Sequence, residues 1–181
     1  PMIAFEWITW SSGSQSCFFY LFHLFAVQHA DGSHKKILLP LAPEYIGYGD
    51  AGIDDDIFVS YHPEIEMLDN RMFKYHVDFE QLKVDESIAA ICASRPTNPT
   101  GNVLTDEEVR KLDKLARDNN IPLIIDNAYG TPFPNIIFED VTPFWNDNPF
   151  LLSTYDPADE RTSGATGDDW HKNKKTRRSK T

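Results

Sequence analysis

Residues 88–129 read I-A-A-I-C-A-S-R-P-T-N-P-T-G-N-V-L-T-D-E-E-V-R-K-L-D-K-L-A-R-D-N-N-I-P-L-I-I-D-N-A-Y. The apolar runs 88–93 and 123–125 are too short for helices and lack polar alternation, as strands buried on both faces of a parallel sheet do. Between them Thr105-Asp106-Glu107-Glu108 spells a capping box, with Thr105 at the cap and Glu108 at the third helical position. Val109, Leu112, Leu115 and Ala116 then share one helical face, and Asn119-Asn120 ends the helix. Strand, helix, strand predicts a crossover between parallel strands, whose C-terminal ends share one edge of the sheet. Open α/β sheets bind ligands at that edge. Just past those ends the sequence supplies an amide (Asn98), a carboxylate (Asp126, 28 positions later) and a phenol (Tyr129).

Upstream, Gly13-Ser14-Gln15 opens a stretch at 18–27 that is apolar nearly all round (Phe18, Phe19, Leu21, Phe22, Leu24, Phe25), so a buried helix is expected there. A Gly/Ser turn opening a helix offers free amides and a hydroxyl to an anion. Short strands are expected at 36–39 and 57–59. Gly47-Tyr48-Gly49-Asp50-Ala51-Gly52 matches the G-x-G-x-x-G dinucleotide fingerprint, but it starts well past the strand and precedes aspartates rather than a helix. That context is wrong for a dinucleotide site.

These segments together resemble the large domain of class I/II (fold-type I) pyridoxal-phosphate aminotransferases, over roughly residues 8–148. The carriers are N-P-T-G at 98–101, D-N-A-Y at 126–129, G-S-Q-S at 13–16 and P-L-A-P-E-Y-I-G-Y at 40–48. The resemblance implies a three-layer α/β fold, a mainly parallel sheet with helices on both faces. It also implies pyridoxal 5'-phosphate as cofactor: Gly13, Ser14 and Gln15 at the phosphate, Tyr45 stacked on the ring, and Asn98 and Tyr129 at the ring oxygen. Asp126 would face the pyridinium nitrogen, keeping it protonated so that the ring accepts electrons. A cis bond at Asn98-Pro99 belongs to the same pattern. The reaction implied is transfer of an amino group from an amino acid to a 2-oxo acid, with valine and pyruvate as the pair, in a homodimer. Arg95 and Tyr48 receive no role at this stage.

One part of the pattern is missing. The family's Schiff-base lysine follows the aspartate by about thirty positions in a Ser-x-Ser-Lys motif. Here residues 151–157 read L-L-S-T-Y-D-P, and no lysine occurs between Asp126 and Lys172. No catalytic residue is therefore assigned. The expectation is a partial cofactor-binding domain at 1–150, short of the 2-domain parent, followed by a non-family, disordered tail at 151–181. A non-catalytic fragment that binds cofactor or pairs with another chain, and a lyase of the same fold, stay open.

Composition bounds the rest. The 181 residues carry a net charge of −11, which argues against nucleic acid or an anionic membrane as partner. Six of the 17 Lys and Arg crowd into the last ten residues, where a solvated tail accounts for them better than nucleic-acid binding. The apolar run at 17–27 is too short to span a bilayer. Cys17 and Cys92 fit no metal or redox spacing and read as buried thiols in a reducing, cytoplasmic compartment. The six histidines form no ligand pattern, and no metal is expected.

Overall fold

A computed structural model describes residues 14–54, 56–130, 141–142 and 149–152. Gly13, the Pro132-Phe133-Pro134 stretch and the basic tail lie outside the described residues.

The elements are helix α1 (Ser14–Phe25), strands β1 (Val27–Gln28) and β2 (His34–Leu39), the one-turn helix α2 (Gly47–Asp50), strands β3 (Phe58–Ser60), β4 (Glu64–Met67), β5 (Phe73–His76) and β6 (Ile88–Ser94), helix α3 (Asp106–Asp118), and strands β7 (Leu123–Asp126) and β8 (Pro149–Leu152). The main sheet runs β1-β2-β6-β7-β8, with β3 paired to the end of β2. Every pairing in it is parallel except β1 with β2. The C-terminal ends of β6, β7 and β8 are level, Ser94 opposite Asp126 and Asp126 opposite Leu152, while β2 ends short of β6, with Leu39 opposite Ser60 of β3. The last two residues of β8 fall beyond position 150, the expected end of the family-like part.

Strand alternation divides the core into two layers. Leu38, Ile91, Ala93, Leu123 and Ile125 face α3, packing against Val109, Leu112 and Ala116. Ile37, Leu39, Ala90, Cys92 and Ile124 face α1, packing against Phe18 and Phe22. Burying each larger side chain of α3 contributes about 1.5–3 kcal/mol, which is what holds an amphipathic helix on the sheet. The capping box forms as expected: the Thr105 side chain accepts from the Glu108 amide, and Glu108 accepts from the Thr105 amide.

The α1 expectation needs correction. The helix is not buried all round: Cys17, Phe18 and Phe22 are buried, while Tyr20 and Leu24 are 52% and 60% exposed. One sheet covers only one face, and a uniformly apolar stretch does not tell which face that is. The β4–β5 hairpin had no expectation. Its polar side holds His76, whose two ring nitrogens contact Glu66 (2.8 Å) and Glu108 (3.1 Å), joining the hairpin to the start of α3. Both cysteines are free and buried. Within the described residues no helix is long and apolar enough to cross a membrane.

Candidate functional site

Position parity decides what meets at the sheet edge. Ile125 faces α3, so the next residue, Asp126, faces the α1 side; Ala93 and Ser94 repeat that relation on β6. Tyr48, on α2, belongs to the same α1-side layer and is 2% exposed. Phe18, Phe22 and Tyr45 surround its ring, with centroids at 5.0, 5.5 and 5.4 Å. Its hydroxyl donates to Asp126 Oδ2 at 2.8 Å and lies 2.9 Å from Ser94 Oγ. Asp126 Oδ1 accepts from the Ala128 amide at 3.0 Å.

Asp126 is 6% exposed, and burial pushes its carboxyl above the usual range, opposed by the bonds from Tyr48 and Ala128. No cation of the described residues pairs with it. Glu44 is a second, half-buried carboxyl nearby, raised by desolvation and, more weakly, by Asp126. It accepts from the Ser94 amide (2.7 Å) and the Tyr45 amide (2.9 Å), tying the loop after β2 to the end of β6. The Tyr48 phenol is pushed far up, first by burial and then by Cys92, Asp126 and Glu44, so it stays a donor.

Asn98 and Tyr129 come together at the same edge, Asn98 Nδ2 to Tyr129 Oη at 3.4 Å, with Tyr129 45% exposed. Asn98-Pro99 is cis, as the resemblance implies; Ala42-Pro43 and Arg95-Pro96 are cis as well and had no expectation. Ser14 is the first residue of α1, and Gln15 donates from Nε2 to the Gly47 carbonyl at 3.1 Å, joining α1 to α2. Tyr45 leans over Gly47, whose position leaves no room for a β-carbon beneath the ring. Gly47 thus serves a close approach within α2, and the G-x-G-x-x-G match holds no strand–turn–helix.

The sequence left Arg95 without a role; its surroundings give it one. It is 6% exposed, donating from Nε to the Leu104 carbonyl (2.7 Å) and from a terminal nitrogen to the Thr142 carbonyl (3.0 Å), and pairing with Asp106. These bonds brace both ends of the loop that carries Asn98. Glu44 was missed entirely. Its only sequence signal is a carboxylate directly after Pro43, and its partner Ser94 lies 50 positions away.

A buried carboxylate bonded to a phenol, with an amide–phenol pair at the same C-terminal edge of a mainly parallel sheet, is what the comparisons with known proteins meet. The sequence profile of the family described as aminotransferase class I and II matches residues 53–156, and the chain belongs to that family. It is 63% identical over 141 residues to the valine–pyruvate aminotransferase of Escherichia coli (strain K12), a match covering 78% of this chain and 34% of that enzyme. The crystal structure of valine-pyruvate aminotransferase from Salmonella typhimurium LT2 superposes with a TM-score of 0.72 at 56% identity, over 83% of this chain and 37% of that one. Tyrosine aminotransferase from Leishmania infantum shares the fold at 18% identity and a TM-score of 0.54, over 78% of this chain and 36% of its own. The chain thus spans about a third of the length of these relatives.

Proposed function

We propose that this chain is the cofactor-binding part of a pyridoxal-phosphate-dependent aminotransferase whose substrates are valine and pyruvate. The observation that carries the cofactor reading is the buried Asp126 carboxylate, at the strand edge, with no cation of the described residues beside it. A protonated pyridine nitrogen fits that environment, because a desolvated carboxylate is costly until a positive charge meets it. The likeness to the two valine–pyruvate aminotransferases supports the substrate pair.

Each side chain then has a task. Asp126 keeps a proton on the ring nitrogen. Asn98 and Tyr129 would donate to the ring oxygen. Tyr45 supplies a flat face for stacking. Ser14 and Gln15, which open α1, offer a hydroxyl and first-turn amides to a phosphate, and Gly13 would join them by its place in the sequence. The bound cofactor supplies the electron-accepting ring that lets an amino acid give up its α-proton. No lysine stands between Asp126 and Lys172 to take that proton, so the 181-residue chain is expected to bind without turnover.

Two experiments test this. Titration with pyridoxal phosphate gives saturable one-to-one binding that Asp126→Ala abolishes; equal binding by both proteins, or none by either, refutes the cofactor reading. A chimaera with the 141 matching residues placed in the E. coli enzyme transaminates pyruvate with valine. A folded chimaera that prefers another amino donor refutes the substrate pair.

A further inference from the structure

Ser94, Tyr48 and Asp126 form a line of hydrogen bonds in which the direction of the Tyr48–Asp126 bond is fixed. Tyr48 has a single hydroxyl proton, and an ionised Asp126 can only accept, so the proton lies on the 2.8 Å bond to Oδ2. Ser94 Oγ, 2.9 Å from the same phenol oxygen, is then the group that can donate to it, with the Glu44 carboxylate as its other acceptor. The opposite carboxylate oxygen takes the Ala128 amide at 3.0 Å. Both oxygens of Asp126 are therefore held, one from α2 and one from the turn after β7, and the plane of the carboxylate is fixed. Tyr48 cannot swing away, because Phe18, Phe22 and Tyr45 enclose its ring.

We propose that Tyr48, oriented by Ser94, is a positioning residue that aims the Asp126 carboxylate and keeps it ionised toward the positive charge it faces. This rests on the cofactor reading above and extends it to two residues that would not touch the cofactor. Besides Ser94 and the Ala128 amide, the titratable groups that act on this phenol–carboxylate pair are Glu44 from the loop after β2, Cys92 from β6, and each other. Glu44 is acidic and Cys92 is held as a thiol by burial, so neither opposes the desolvation of Asp126. The donor on Oδ2 comes from Tyr48, and removing it leaves burial opposed only by Ala128.

The test measures the dissociation constant of the 181-residue chain for pyridoxal phosphate from pH 5 to 9 in Tyr48→Phe, Ser94→Ala, Asp126→Asn and the Tyr48→Phe/Asp126→Asn pair. Phe keeps the ring packing and deletes only the hydroxyl. Binding by the parent chain weakens as pH falls and Asp126 takes up a proton. Tyr48→Phe should move that midpoint up by about one pH unit and weaken neutral binding about tenfold, the effect of one hydrogen bond to a charged group. Ser94→Ala should act in the same direction, about threefold. Asp126→Asn should remove the acid limb, and Tyr48→Phe added to it should change nothing further. A Tyr48→Phe profile that superimposes on the parent's, while Asp126→Asn loses binding, overturns the positioning role and leaves the cofactor reading intact. Parent-like binding by Asp126→Asn overturns both. If circular dichroism shows Tyr48→Phe unfolded, Ser94→Ala and its pair with Asp126→Asn carry the same comparison.

Discussion

Arg95→Met keeps the length of the side chain and deletes every donor it carries. In the structure those donors reach the Leu104 carbonyl, the Thr142 carbonyl and the Asp106 carboxylate. With Arg95 6% exposed, the freed acceptors do not regain water in full. Breaking a buried pair by removing one partner costs about 3–5 kcal/mol. Asp106 is 24% exposed and keeps the amide and hydroxyl of Thr142, which places this case at the low end, about 3 kcal/mol. With a urea slope of about 2 kcal/mol/M, the unfolding midpoint should fall by about 1.5 M. Arg95→Lys should recover less than half of that, because an ammonium cannot serve three acceptors spread as a fork. The exposed control Arg110→Met should move the midpoint by less than about 0.3 M. Because the brace holds the loop bearing Asn98, cofactor binding should weaken along with stability. An Arg95→Met midpoint indistinguishable from that of Arg110→Met would refute the brace.

Three further outcomes follow from the same geometry. Burial alone would raise Asp106, but the bonds from Thr142 and Arg95 outweigh it and pull its carboxyl down to about 2. Its folded pKa thus lies below the unfolded one, so its contribution is present above about pH 4 and is lost as pH falls toward 2; urea melts of Asp106→Asn against the parent should converge there. His76 is raised, burial being outweighed by Glu66 and Glu108. Its contribution is therefore full below about pH 6.5 and fades as pH rises through the folded value, so the stability gap between parent and His76→Gln should narrow from pH 6 to 9. Gly47→Ala should displace the Tyr45 ring, since the added carbon would overlap it, and should weaken cofactor binding while circular dichroism stays unchanged.

How much of this was legible depends on the range of the interaction. The β6–α3–β7 unit could be read because its signals are local: two apolar runs, a capping box and a helical stripe, all within residues 88–125. Asn98, Asp126 and Tyr129 stood out because each follows a strand end. Tyr48 and Glu44 did not. Their partners lie 46, 78 and 50 positions away, and only strand parity and the placement of α2 bring them together. The hairpin was hidden for another reason. One side carries Ile65, Met67 and Phe73, all more than half exposed, with Tyr75 packed against the core, and the other carries Glu66 and His76, so hydropathy alternation does not tell which side is covered. In α1, an apolar residue at nearly every position left the covered face undetermined, and packing on one sheet chose Phe18 and Phe22 over Tyr20 and Leu24.

The central claim is that this sheet edge holds a pyridine ring against Asp126. A crystal structure of the chain soaked with pyridoxal phosphate tests it most directly. The ring nitrogen should lie within hydrogen-bond distance of an Asp126 oxygen, with Tyr48 still donating to that carboxylate. Asn98 and Tyr129 should be at the ring oxygen, and the phosphate at the start of α1. A fully occupied cofactor bound elsewhere, with Asp126 contacting only Tyr48 and Ala128, would contradict it.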